Sequence, residues 1–160
     1  MKKNNHFFLT TYLWLALLCL LSFSSINLSG QQLCSSEELY QAGLDEYKNT
    51  GDYPKALDYF NQSINCEASG KAYFYRGCTY KMLNDKSGAK DYLGLAIEDF
   101  KKALSLAYQP SETGIHIGHC KCMLGQKTEG LSDVIAVLDK KPELRQIRFV
   151  QNVLKECGGN

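Results

Sequence analysis

Gly51-Asp52-Tyr53-Pro54-Lys55-Ala56-Leu57-Asp58-Tyr59-Phe60 is the stretch from which the rest of the chain is read. Gly-Asp is a turn signal. Pro54 suits the first turn of a helix, where its missing N–H costs nothing. Ala56 is small and Phe60 follows one turn later on the same face, with Ile64 beyond it. A small residue lets a second helix approach, and the aromatic fills the space beside the contact.

Moving outward, the same arrangement recurs. Ala56, Ala96 and Gly130 are each followed four residues later by Phe60, Phe100 and Val134, and eight residues later by Ile64, Leu104 and Leu138. Helical spacing predicts a helix from Ser35 or Ser36 to about Tyr47, with Ser35 or Ser36 as its cap and Glu37 and Glu38 at its positive end. A second follows from Tyr53 to Cys66, and a third from Ala72 to about Leu83. Asn84 to Gly88 reads as a polar loop. The fourth helix spans Asp91 to Ala107, and the fifth starts near Ser111 and carries Ile115, Gly118 and Met123. Thr128 to Asp139 is the sixth, and Glu143 to Glu156 the last.

These features resemble the tetratricopeptide repeat. The best copies are Gly51–Phe60, Tyr73–Gly77 and Ala96–Leu104, and Ala96 to Gly130 is 34 residues, the period of that family. Gly118 and Gly130, 12 apart, match the small residues of paired helices. Gly77 and Ala96 are 19 apart, and the extra residues are assigned to the Asn84–Gly88 loop. Around Gly43 and Leu44 the register is off by one. The resemblance implies an all-α fold, an α-solenoid of antiparallel helix pairs with a TPR-like superhelix. Its repeats would cover about 37–70, 71–110 and 111–142, with a capping helix at 143–156 to cover the last apolar flank.

The first 30 residues differ from the rest. A basic start at Lys2 and Lys3 precedes an uncharged run from Phe7 to Phe23, then small and polar residues to Gly30. This is the order of a secretory signal peptide. It predicts cleavage after Gly30, a helical domain over 31–160 and an exported protein, periplasmic or secreted, with no membrane insertion after cleavage. An uncleaved N-terminal anchor is the competing reading. Lys+Arg is 18 and Asp+Glu is 17, a net charge of +1 that supplies no basic footprint for nucleic acid.

Seven cysteines are present, and Cys19 would leave with the signal. The remaining Cys34, Cys66, Cys78, Cys120, Cys122 and Cys157 are an even set in an exported chain, which suggests disulfides. The helix-hairpin fold that the resemblance implies would bring Cys34 and Cys66 together. Cys157 would reach Cys120 or Cys122, leaving Cys78 free or paired with the other.

In this family the first helix of each pair lines a groove. The positions implied here are Gln41, Asp45 and Lys48, then Phe74, Cys78 and Lys81, then Ile115, His119 and Cys122, with Phe74 as a central aromatic anchor. Some members hold C-terminal carboxylates with a Lys/Asn clamp. Gln41 and Asp45 stand where that clamp would begin, which disfavours such partners. His116, His119 and Cys120 lie at i, i+3 and i+4 with Cys122 close by, so a metal- or thiol-responsive site is an alternative. A structural subunit assembling through its first repeat is another. No phosphate-binding glycine loop, nucleophile elbow or His-Glu zinc helix is present, and no cofactor is implied. The expectation is a non-enzymatic scaffold for a protein or peptide partner.

Overall fold

The computed structural model describes residues 34–158. The proposed signal segment, its cleavage site and the alternative anchor lie outside them. Among the described residues seven α-helices follow one another: α1 Ser36–Asp45, α2 Tyr53–Cys66, α3 Gly70–Ser87, α4 Asp91–Ser105, α5 Pro110–Met123, α6 Lys127–Lys140 and α7 Arg148–Gly158. Each packs on the next, and α7 rests on both α5 and α6. Among the described residues there is no strand, and no helix is long and apolar enough to cross a membrane.

Local chemistry sets the helix ends. The Ser35 hydroxyl accepts the Glu38 N–H at 3.2 Å, Asp52 accepts that of Lys55 at 3.1 Å, and Ser69 accepts that of Ala72 at 3.3 Å. Each satisfies an N–H that the first turn leaves without a partner. Gly51 and Gly88 close α1 and α3 with φ of 70° and 69°, a conformation that any side chain would strain.

Three glycines fix the register between paired helices. A Cβ on Gly43 would stand 2.8 Å from the Phe60 ring, and one on Gly77 would stand 2.9 Å from the Phe100 ring. One on Gly118 would stand 2.7 Å from the Gly130 carbonyl oxygen and from Val134. Gly43, Gly77 and Gly118 are therefore equivalent, each pressed against the residue that follows the small one by four.

This equivalence explains the irregular spacings. Gly43 to Ala56 is 13 residues where Gly118 to Gly130 is 12. The extra residue is absorbed by a π-helical turn over Glu46–Thr50, which continues α1. Thr50 Oγ1 donates to the Glu46 carboxylate at 2.7 Å, and Lys55 pairs with the same group, so the widened turn is tied down. In the middle pair the Asn84–Gly88 loop is corrected: α3 stays helical through Ser87, Asn84 is buried, and the chain turns only at Gly88. The added residues lengthen a helix. The last helix is also corrected. Pro142–Gln146 is a 3-10 turn, Ile147 is extended at φ −73° and ψ 125°, and α7 begins at Arg148.

The core runs through the pairs in three clusters. Tyr40, Ala56, Phe60 and Ala72 form the first, and Phe74, Leu93, Ala96, Phe100 and Ala103 lie in the second. Ile115, Val134, Leu138, Val150 and Val153 lie in the third. Arg76 joins the first two pairs. Its guanidinium grips both oxygens of buried Asp99 at 2.6 and 2.7 Å and donates to Asn61 at 2.8 Å. The two-point geometry and the added amide partner satisfy a charge pair that would otherwise be costly to bury.

Candidate functional site

The glycine register assigns the face shared by the first helices. Counting from Gly43, Gly77 and Gly118, equivalent positions are Tyr40, Leu44 and Tyr47 on α1, then Phe74, Cys78 and Lys81 on α3, then Ile115, His119 and Cys122 on α5. The second and third sets are those expected from sequence. The first, Gln41, Asp45 and Lys48, sits one residue round the helix. The spacing of 34 between Gly43 and Gly77 is the signal that marks the shift.

Gln41, Asp45 and Lys48 are exposed on α1. Gln41 donates to Glu37 at 2.8 Å, Asp45 accepts from Asn49 at 2.5 Å, and the Lys48 ammonium lies 5.4 Å from the centre of the Tyr75 ring. Tyrosines cluster around the one that Lys48 meets. Tyr75 meets Tyr40 and Tyr47 edge-on with ring centres 5.9 Å apart in both contacts, and Tyr47 leans on Tyr53 at 5.8 Å. Tyr47, Tyr75 and Tyr108 are only partly buried. The result is a strip with apolar ring surface and a polar, charged edge.

The other six expected residues are buried. Phe74 is 4 % exposed, enclosed by Tyr75, Phe100, Tyr108 and His116 at ring distances of 5.3 to 5.6 Å. It is a core residue in this state, and the accessible aromatic beside it is Tyr75. Cys78 is an unbonded buried thiol, as is Cys120. Burial pushes their thiols up to about 12 and about 11, so they stay protonated and unreactive.

Each of the three α5 positions holds α7. Ile115 packs in the cluster that contains Val150 and Val153. His119 Nε2 is 2.7 Å from a Glu156 carboxylate oxygen. Cys122 is disulfide-bonded to Cys157. Lys81, 8 % exposed, reaches across from α3, with Nζ 2.9 Å from His119 Nδ1 and 5.3 Å from the centre of the Phe149 ring on α7. The ammonium can only donate, so Nδ1 accepts and Nε2–H donates to Glu156. Burial and the Lys81 ammonium hold the His119 imidazole below its ordinary value, and Glu156 opposes them.

His116 is held neutral by the same two causes, among rings. It is stacked on Phe100 at 5.1 Å and leans on Phe149 at 4.8 Å, and its buried Nδ1 has no hydrogen-bond partner. Burial, then Lys81, then His119 push it down to about 3. The residues of the metal alternative are thus otherwise engaged: His116 between rings, His119 in the Lys81–Glu156 chain, Cys120 in the core and Cys122 in a disulfide. Among the described residues no three His, Cys, Asp or Glu side chains converge as ligands. Cys34 and Cys66 are both disulfide-bonded.

No protein-family model matches this sequence, and no curated protein matches it. Solved structures do. The Arabidopsis OM64 TPR domain superposes with a TM-score of 0.63 at 20% identity, covering 76% of this chain and 93% of that one. The Yersinia enterocolitica type III secretion chaperone SycD, in complex with a peptide of the translocator YopD, gives 0.61 at 17% identity, covering 76% and 91%. With three glycine-registered helix pairs and a terminal helix, the chain has the fold of a tetratricopeptide-repeat protein.

Proposed function

We propose that this protein is an exported, non-enzymatic scaffold that binds a peptide or protein segment on the first-helix face of its first two repeats. The observation that carries the reading is the tyrosine strip: Tyr47 and Tyr75 are partly exposed and in ring contact, and Lys48, on the helix that also exposes Gln41 and Asp45, lies against Tyr75. Rings offer contact area at low entropic cost, and the polar edge sets register, which is how peptide-binding surfaces divide affinity from specificity. One solved structure with this fold, SycD, was determined with a peptide, which supports the same use here. The buried Phe74 of the second set, in ring contact with Tyr75, would shape the site from beneath.

Export fits the cysteine chemistry. Cys34, Cys66, Cys122 and Cys157 are all bonded, and such bonds persist in oxidising compartments. We assign Cys34 and Cys66 to one another, closing the first repeat. The test is affinity capture from envelope extracts under non-reducing conditions, comparing the parent with Gln41→Ala/Lys48→Ala/Tyr75→Ala. The parent should retain a partner that the triple variant loses at least about tenfold, the loss expected of truncated contact residues. Equal recovery would reject the site.

A further inference from the structure

The helix α7 covers the first-helix face of the third repeat, and its two ends are built differently. At its base the packing is open. A cavity of about 290 Å³ lies between the start of α5 and the chain entering α7, with Pro110, Ile115, Leu144, Ile147 and Phe149 in its walls. The chain there is a short 3-10 turn and one extended residue, and Ile147 is 47 % exposed. At its tip the helix is fixed covalently by Cys122–Cys157. A second cavity, about 430 Å³, opens beside that bond, lined by Leu131, Ile135, Cys157 and Gly158 among others. Between the ends, α7 is held by Phe149, Val150, Val153 and the Glu156–His119 contact.

We propose that α7 is a disulfide-latched lid over the α5 half of the first-helix face, and that thiol–disulfide exchange releases it. The co-reactant is a dithiol reductant entering by the cavity beside Cys157. Its thiolate attacks one sulfur, forming a mixed disulfide and expelling the other cysteine as thiolate. Its second thiol then closes on the first, expelling the second cysteine. Two electrons pass from the reductant, which becomes a disulfide, and Cys122 and Cys157 each take up a proton as thiols. The short turn over Pro142–Gln146 then serves as hinge, and Ile115, His119 and Lys81 come into reach of a partner.

The covalent bond matters because it makes every opening of the tip intramolecular. Cross-linking two residues 35 apart disfavours the separated state by roughly a hundredfold or more. Without it, the short apolar face of α7 must hold alone.

The test uses the full chain with Cys122→Ala/Cys157→Ala, which leaves Cys34 and Cys66 untouched. Hydrogen exchange of α7 and labelling of His116 and His119 by diethyl pyrocarbonate are read by mass spectrometry. Relative to the parent, both should rise at least about tenfold while α1 and α2 exchange as before. Phe149→Ala with the disulfide intact, read by hydrogen exchange alone because Phe149 itself covers His116, should change exchange at the tip of α7 by less than about twofold to threefold, because the tip stays pinned. Unchanged rates in the double variant would overturn the proposal. So would an equal rise in α1 and α2, because α7 would then be an integral part of the stack. The inference rests on the scaffold reading only for its purpose: no partner is needed to measure it, so its failure leaves that reading standing.

Discussion

The first and third helix pairs share one design and present opposite surfaces. In both, a glycine on the first helix meets the second helix at contact distance, through Gly43 and Phe60 in one and Gly118 and Gly130 in the other. On the first pair the equivalent Tyr40, Leu44 and Tyr47 are buried or half-buried, and Gln41, Asp45 and Lys48, one residue round the helix, stand in solvent. On the third, Ile115, His119 and Cys122 are all engaged by α7. The repeat supplies a frame, and the helix packed beyond the last repeat decides whether that frame is open.

The largest test of the contrast is Phe74→Ala. Phe74 lies between the two regions and is enclosed by rings from α3, α4 and α5 and by Tyr108 between α4 and α5. Truncating a buried Phe costs about 3–5 kcal/mol. Urea denaturation should show that loss in the midpoint. If stability instead stays within about 0.5 kcal/mol of the parent and only partner capture falls, the open surface extends past Phe74. The boundary drawn between the halves would then be wrong.

A second, smaller effect compares the two glycine contacts directly. A Cβ on Gly43 meets the Phe60 ring, a buried side chain that would have to tilt against Tyr40 and Tyr75 but carries no backbone with it. A Cβ on Gly130 would lie 2.4 Å from the Gly118 carbonyl oxygen and 2.9 Å from the Cys122 amide nitrogen, backbone atoms that move only if the helices part. Gly130→Ala should therefore cost about 2–3 kcal/mol even after the gain in helix propensity of about 1 kcal/mol. Gly43→Ala should cost about 1 kcal/mol or less by the same two terms. Equal midpoint shifts would mean that the third pair is no more tightly closed than the first.

The legible parts of the fold are those whose signals lie in local spacing. Ala56 with Phe60 and Ala96 with Phe100 are readable because contact between paired helices demands a small residue and a large one at fixed spacing. Gly43 is misplaced by one because a π turn leaves no mark in composition. The end of α3 is read too early at Asn84, since Asn84-Asp85-Lys86-Ser87 is polar enough for a loop. Only the left-handed Gly88 marks the real stop. The choice between Cys120 and Cys122 for Cys157 stays open in the sequence because both lie on α5. Two residues apart on a helix point to nearly opposite sides, and the position of α7 decides which is used. The burial of Lys81, His119 and Phe74 depends on that same packing, which no local pattern encodes.

The third test separates the halves by pH. His116, within the closed region, is held neutral with its value pushed down to about 3, against an unfolded value of 6.5. Below pH 6.5 the unfolded chain binds a proton there that the folded chain refuses. Stability from this site is therefore complete above about pH 6.5 and falls as the pH drops toward 3. Between pH 6.5 and 5 the loss from this residue alone is about 2 kcal/mol. The first pair contains no histidine, and its Glu37 and Glu46 carboxylates, stabilised in the charged form by Lys71 and Lys55, remain ionised over that range. Amide protection, corrected for the intrinsic slowing of exchange at lower pH, should thus fall first in α5 and α7 at pH 5 and least in α1 and α2. His116→Phe, which keeps ring contact with Phe100 and Phe149 and removes the titrating group, should flatten the response. A pH dependence that survives His116→Phe in α5 and α7 would pass to His119, whose imidazole burial and Lys81 also hold down, and one that appears equally in α1 and α2 would place its origin outside the closed half.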